Sequence, residues 1–259
     1  MIKFFEVKNN CSQRLLIEKI QRKLRIYSFC LVKNFNTEKT QSRLSKIVRS
    51  RYQYNNDIRV SGKRKIGSND YQRVDLGDSY KNIRFMRVIS FAEWNKKNKE
   101  FFELVNPIIS LRNKLSKIEK IGMYYPKVDK IQLRKEKKNY FLCDFVRMIQ
   151  YPKGGGFLIR HNDYDEQYGK DVVAALLPLT TKKNKKNSGR SATYEKGGLY
   201  FIHKNKKVMI DDYVENGDLV LFNAKIDHGV NTIDPHKKVD IAKLSGRLTL
   251  NFSVASFYK

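Results

Sequence analysis

Cysteine is scarce in this chain: Cys11, Cys30 and Cys143 are three among 259 residues, odd in number and widely spaced. That excludes a disulfide framework and any Cys-x-x-Cys or Cys/His zinc arrangement, and it points to reduced thiols and a cytoplasmic setting. Long apolar runs are lacking too. No stretch approaches the roughly 18 residues that a spanning helix requires, so no membrane partner is expected. The first ten residues carry no apolar segment of the kind a secretory signal needs. Acidic residues are few beside basic ones, 26 Asp and Glu against 53 Lys and Arg, for a formal net charge of +27. Such an excess can serve a polyanionic partner. Here the lysines are spread almost evenly, and they accompany an abundance of Asn, Ile, Tyr and Phe, the residues an AT-rich coding sequence favours. Compositional drift is the favoured reading. Nucleic acid stays possible as a partner but is not favoured.

What is present suffices for a sizeable core: 41% of the residues are hydrophobic, with 15 Tyr and 15 Phe. The length suits one large domain, or one domain with a helical annex. Ser12 is a candidate cap for a helix in which Leu16, Ile20 and Leu24 recur at i, i+4 and i+8. Ile26 to Val32 reads as a strand. Thr37 to Tyr52 reads as a second helix, with Leu44, Ile47, Val48 and Tyr52 facing inward. Asn55 to Tyr80 is polar, is punctuated by Ser61-Gly62, Gly67-Ser68 and Gly77-Asp78, and reads as loop with room for one short strand. Ile83 to Ile89 predicts a strand and Trp94 to Val105 a helix. Asn106-Pro107 signals a fresh helix carrying Ile108, Leu111, Leu115 and Ile118, ended by Gly122.

From about residue 141 the texture changes. Short apolar segments alternate with Gly, Asn and Asp turns: Phe141–Tyr151, Phe157–His161, Val172–Leu179, Gly198–His203, Lys207–Ile210, Asp218–Phe222, Gly229–Ile233 and Gly246–Val254. About eight short strands in this pattern predict a jelly roll or small barrel. The expected class is mainly β with N-terminal helices (α+β). Residues 1–140 are expected to form a helical region packing on a core of residues 141–259. The apolar-free loop Lys182–Arg190 is expected to be mobile.

The chemistry centres on Tyr151 to Asp163, where His161 and Asp163 follow a glycine-rich turn and a short apolar run. Residues i and i+2 of a strand share a face, so both side chains can reach one metal ion. A His-x-acid pair alone is a common accident among four histidines and 26 acidic residues. Context sharpens it. His228 closes a strand-like run before Gly229, and two histidines with one carboxylate on one side of a metal form the facial triad of non-haem Fe(II) oxygenases. His203 and His236 lack that strand-then-ligand setting and are read as non-ligands. In Gly246 to Ser253, strand alternation puts Leu248, Leu250 and Phe252 on one side and Arg247, Thr249, Asn251 and Ser253 on the other. A polar face headed by Arg suits a dicarboxylic acid, since guanidinium grips carboxylate with a fork; a solvated strand face is equally ordinary.

These residues resemble the 2-oxoglutarate/Fe(II)-dependent oxygenase superfamily, over about residues 141–258. The Tyr-Pro-x-x-Gly…Arg-His-x-Asp stretch is similar to that of prolyl-hydroxylase-type members. The resemblance implies a double-stranded β-helix preceded by helices, and an enzyme using Fe(II), 2-oxoglutarate and O₂. It implies His161, Asp163 and His228 as iron ligands, Arg247 and Thr249 on the distal carboxylate of 2-oxoglutarate, and Tyr151 lining the cosubstrate pocket. No catalytic side chain beyond the ligands is implied. Two departures stand out. The gap from His228 to Arg247 is longer than in many members, and Leu177 lies near where prolyl hydroxylases carry a second cosubstrate-binding tyrosine. The expected function is hydroxylation of a C–H bond in a small metabolite or a peptide side chain, with succinate and CO₂ as co-products. The alternative is AlkB-type demethylation of alkylated nucleic acid, favoured by the charge and by His161 to Glu166. That group carries a second arginine six residues after the first, where this chain has Ser253. A third reading, a jelly-roll binding module, is opposed by the intact triad. Substrate-binding residues, substrate identity and oligomeric state are not legible.

Overall fold

The computed structural model describes residues 4–54, 56–59, 70–77, 82–93, 95–117, 140–164, 172–184, 188–189 and 191–258. After a short strand β1 (Glu6–Lys8), helix α1 (Gln13–Tyr27) starts where Ser12 Oγ accepts the Leu15 amide, and it buries Leu16, Ile20 and Leu24. Strand β2 (Phe29–Lys33) begins three residues later than Ile26, because Ile26 and Tyr27 complete the last helical turn. Ser28 closes that turn at φ 64°, its amide bonded to the Leu24 carbonyl. Helix α2 (Glu38–Arg51) is capped by Thr37 and buries Gln41, Leu44 and Val48. Next come β3 (Ile58–Arg59), β4 (Gln72–Gly77) and β5 (Arg84–Phe91). The polar stretch read as loop with one short strand thus holds two, β3 and β4, and β4 pairs antiparallel with β5 from Gln72↔Ile89 to Gly77↔Arg84. Ser61-Gly62, Gly67-Ser68 and Asp78 lie outside the described residues.

Helix α3 (Lys99–Ser116) runs unbroken through Pro107, where the sequence predicts a restart. The reason is energetic. A proline inside a helix costs about 3 kcal/mol, whereas each fully buried large apolar side chain contributes about 1.5–3 kcal/mol. Phe101, Phe102, Val105, Ile108, Ile109, Leu111 and Leu115 are all buried on one continuous face. Trp94, Ile118 and Gly122 lie outside the described residues.

The second half holds β6 (Tyr140–Tyr151), β7 (Phe157–His161), β8 (Val173–Pro178), β9 (Thr181–Lys182), β10 (Ala192–Tyr194), β11 (Gly198–His203), β12 (Lys206–Met209), β13 (Leu219–Asn223), β14 (His228–Asn231) and β15 (Arg247–Tyr258). Antiparallel pairing gives two four-stranded arrays, β13-β8-β15-β6 and β7-β14-β11-β12. This is a double-stranded β-helix. Residues before 140 do more than cover it with helices. β2 extends the first array beyond β13, and β5 pairs with both β6 and β7, joining the two arrays. The small pair β9–β10 brackets the Lys182–Arg190 stretch read as loop, β9 ending at Lys182 and β10 beginning at Ala192; residues 185–187 and 190 lie outside the described set.

Strand alternation sorts the side chains into two cores. Val173, Ala175, Leu177, Leu219, Leu221, Leu248, Leu250 and Phe252 face the helices, packed with Ile20 of α1 and with Val105 and Ile108 of α3. Ala174, Leu176, Val220 and Phe222 point into the barrel with Ile149, Tyr151, Leu158 and Phe201. Several of this second set wall the barrel's cavity. Cys11 and Cys30 are free thiols, and burial pushes Cys30 up to about 12. No helix among the described residues is long and apolar enough to cross a membrane.

Candidate metal centre

His161 is the last residue of β7, and a bulge aims it. Leu158 pairs with Val230 and His161 with His228, so three steps along β7 match two along β14. An extra residue in one strand re-aims the side chains after it, and both Leu158 and His161 end up lining the barrel cavity. Ile159 and Arg160, between them, point to solvent. Asp163 sits two residues past the strand, its amide bonded to the Ala224 carbonyl at 2.9 Å. Asp227, next to His228, holds Arg160 through Nε and Nη2 at 2.9 and 2.5 Å and accepts from Asn162 at 3.3 Å. These contacts tie together the two chain segments that carry the histidines, although an exposed pair of this kind contributes only about 0.2–1 kcal/mol.

Gly229 explains how closely the strands approach. A Cβ there would lie 2.6 Å from the Tyr200 hydroxyl and 2.8 Å from the Leu158 carbonyl of β7. The glycine beside His228 is a packing requirement, not a turn.

One ligand atom from each of His161, Asp163 and His228 lies within 4.8 Å of the others. Each imidazole is oriented through Nδ1, against the carbonyls of Ile159 and Ile226 at 3.0 Å. In the neutral rings that assigns the proton to Nδ1 and leaves the Nε2 lone pair for a ligand. Both Nε2 atoms face Asp163, His161 at 3.5 Å from Oδ1 and His228 at 3.5 Å from Oδ2. That is longer than a well-made hydrogen bond, about 2.7–3.2 Å. Ligand atoms about 2.1 Å from one ion and cis to each other stand about 3 Å apart, so these residues fit a cation bound by two nitrogens and an oxygen.

The titration behaviour follows from the geometry. Burial disfavours the His161 imidazolium, but the Asp163 carboxylate facing its Nε2 outweighs it and raises its pKa. Burial dominates at His228 and lowers its pKa. Asp163 keeps 43% of its side chain exposed, and the desolvation that opposes its charge is outweighed by the two histidines, which hold its carboxyl down to about 2.

The triad lines a cavity of about 130 Å³, and Tyr151, Arg247 and Thr249 line it too. All six sequence-predicted site residues therefore meet in one hollow. Arg247 pairs in register with Tyr151, and Gly246 before it, at φ 82°, presses against the Tyr151 carbonyl where no Cβ fits. The Tyr151 phenol is pushed up to about 12 by burial, against the opposing charges of Arg247 and Arg84. Arg247 is not an unengaged fork. Its Nε donates to Asp211 Oδ2 at 2.7 Å and its Nη2 to Oδ1 at 3.3 Å, with both side chains 2% exposed. Asp211 also accepts from the Tyr194 hydroxyl at 2.6 Å and the Leu199 amide at 2.8 Å. The guanidinium's side edge is taken, and its end-on Nη1/Nη2 edge is what remains for a ligand.

Asp211 and Tyr194 went unread in the sequence because neither belongs to a spacing motif; a buried Arg in need of a counter-ion was the available signal. Leu177 faces the helices, while its neighbour Leu176 lines the cavity. His203 packs its ring against Tyr27 and Phe29, and His236 is exposed; neither joins the triad.

No protein-family model matches this chain, and no curated relative matches it. Solved structures do. A prolyl-4-hydroxylase from Pseudomonas putida matches at 13% identity and TM-score 0.50, over 94% of this chain and 98% of that one. A prolyl hydroxylase from Trichoplax adhaerens, in complex with a hypoxia inducible factor oxygen degradation domain peptide fragment, matches at 17% identity and TM-score 0.51, over 94% of each chain. The dioxygenase for auxin oxidation 1 from Arabidopsis thaliana, in a binary complex with 2-oxoglutarate, matches at 12% identity and TM-score 0.51, over 98% and 91%. At these identities the likeness establishes the fold that the chain shares with 2-oxoglutarate/Fe(II) oxygenase structures.

Proposed function

We propose that this protein is an Fe(II)- and 2-oxoglutarate-dependent oxygenase that hydroxylates a C–H bond of a small metabolite or a peptide side chain. The observation that carries the reading is the meeting of His161, Asp163 and His228 in a cavity that also holds Arg247, Thr249 and Tyr151. Fold likeness to oxygenases, one seen with 2-oxoglutarate and one with a peptide, supports it. When bound, the iron and cosubstrate would supply O₂ activation and C–H oxidation, yielding succinate and CO₂.

The chain's own residues do the rest. His161, Asp163 and His228 would hold the ion on one side and leave the other positions open. Arg247 offers its end-on edge to the distal carboxylate, with the Thr249 hydroxyl beside it. Tyr151, Leu158, Leu176 and Phe222 form a buried wall that excludes water and strengthens the charged contacts within. No side-chain base is required. We assign residues 141–259 as the oxygenase core on which residues 1–140 pack, and the cytoplasm as its setting.

Demethylation of nucleic acid is the alternative. A flipped base needs rings to stack on; among the described residues, the aromatic cavity walls are Tyr151 and Phe222, both buried to within 3%. The test is 2-oxoglutarate turnover at physiological salt, with methylated single-stranded oligonucleotides compared against amino acids, peptides and metabolites. Stimulation by metabolites or peptides supports hydroxylation. Alkylation-dependent stimulation by the oligonucleotides alone transfers the assignment to demethylation, and absence of 2-oxoglutarate binding in the metal-loaded protein removes both.

A further inference from the structure

The polar face of β15 carries one residue that the oxygenase reading leaves unused. Arg247, Thr249 and Asn251 follow at a period of two, and all three line the cavity. The first two are assigned to the distal carboxylate of the cosubstrate. Asn251 lies about 7 Å further along the strand than Thr249, between the cavity residues Arg147 of β6 and Leu176 of β8 that pair with it in register. It is 9% exposed, its Oδ1 has no hydrogen-bond partner, and its Nδ2 donates to none of the described residues. Gln41 and Asn98 also leave an amide oxygen unpartnered, but their nitrogens are bonded, to the Pro178 carbonyl and to Asp70. Asn251 is bonded at neither end.

Burying an amide without partners costs the desolvation of both its ends, and a bound group that completes them recovers the loss. Ionised carboxylates only accept, so 2-oxoglutarate leaves the Asn251 carbonyl unmet. A hydrocarbon meets neither end, and a hydroxyl reaches one. An amide whose N–H and C=O lie on one edge, as in a primary carboxamide or a lactam, meets both at once. The two ends of the Asn251 amide are alike in shape, so a turn about its last side-chain bond exchanges donor and acceptor to suit.

We propose that Asn251 sets specificity by pairing head to tail with an uncharged amide of the substrate. This rests on the oxygenase reading and narrows it to amide-bearing substrates: esters, carboxylates and hydrocarbons of the same shape bind poorly.

The test uses the full chain loaded with Mn(II), with and without 2-oxoglutarate, and three probes of one shape, phenylacetamide, methyl phenylacetate and phenylacetate. Paramagnetic broadening of their ring-proton resonances reports binding near the metal. A site built around a hydrogen-bonded group rejects analogues that lack it. Half-maximal broadening of the amide is therefore expected at a tenfold or more lower concentration than of the ester in both conditions, and than of the carboxylate once 2-oxoglutarate occupies the metal. Asn251→Leu and Asn251→Ala should each erase that preference. The melting temperature of Asn251→Leu should not fall, because an apolar replacement for an unpartnered buried amide is nearly neutral or stabilising; if leucine overpacks the site and the variant does not fold, Asn251→Ala carries the comparison. Equal broadening of amide and ester, no broadening of the amide, or a carboxylate that outcompetes the amide with 2-oxoglutarate bound overturns the proposal. A preference that survives both substitutions does so too. So does a melting temperature lowered in both variants, which marks a structural partner for the amide, and a tenfold loss of 2-oxoglutarate affinity, which assigns Asn251 to the cosubstrate. Failure of 2-oxoglutarate to bind the parent Mn(II) protein counts against the oxygenase reading, while the amide and ester series without it still decides the role of Asn251.

Discussion

Arg247 and Asp211 form a fully buried ion pair at the end of the cavity, with Nε 2.7 Å from Oδ2. Breaking such a pair by removing one partner costs about 3–5 kcal/mol, because the other is left charged in a dry site. Arg247→Met should lower the free energy of unfolding by about that amount in urea titration. It should also weaken 2-oxoglutarate binding by tenfold or more in calorimetry while leaving Mn(II) affinity within about twofold. Asp211→Asn turns an amide N–H toward the guanidinium and should also weaken 2-oxoglutarate. Tighter binding in that variant would mean that Asp211 competes with the ligand instead of orienting Arg247.

His161→Ala and His228→Ala should each abolish measurable Mn(II) binding, since two remaining donors hold a divalent ion poorly. Far-UV circular dichroism should be unchanged. A variant that binds metal like the parent protein would show that the ion, if any, sits elsewhere.

Gly229→Ala leaves every ligand in place but drives a methyl group into the Leu158 carbonyl and the Tyr200 hydroxyl. β14 must then shift from β7, and the two histidines with it. Metal affinity should fall tenfold or more, which calorimetry reads directly.

Acid should weaken metal binding earlier than an ordinary histidine predicts. His161 has a raised pKa, so its proton competes with the metal from above about pH 6.5 downward. Without metal, the stability His161 gains from Asp163 is fully present below about pH 6.5 and is lost as pH rises through its raised folded value. The contribution of Asp163 is present above about pH 4 and fades as pH falls toward about 2. The shift in melting temperature caused by Mn(II) should therefore grow between pH 6 and pH 8. A shift that stays flat over that range would contradict the His161–Asp163 coupling.

Most of this protein's strands were legible in its sequence, because each is a short alternating run between turn residues. Phe157–His161 and Gly198–His203 end where the pattern ends. The opposed faces of Arg247–Ser253 come from the same period of two. The meeting of His161, Asp163 and His228 was legible as well, since the first two share the strand period of two and His228 closes an apolar run before Gly229. Elements failed where a distant contact outweighed a local signal. Pro107 reads as a helix start, but apolar residues on both sides of it share one buried face, and α3 stays whole.

What only the tertiary structure decided is which charges meet. Asp211 reaches Arg247 across 36 residues, and Arg147 faces Ser253 across 106. Sequence reading sees the face a side chain takes from its neighbours' periodicity, which is a local property of the backbone. The partner on the opposite wall depends on how two sheets close around a common space, and no local period encodes it.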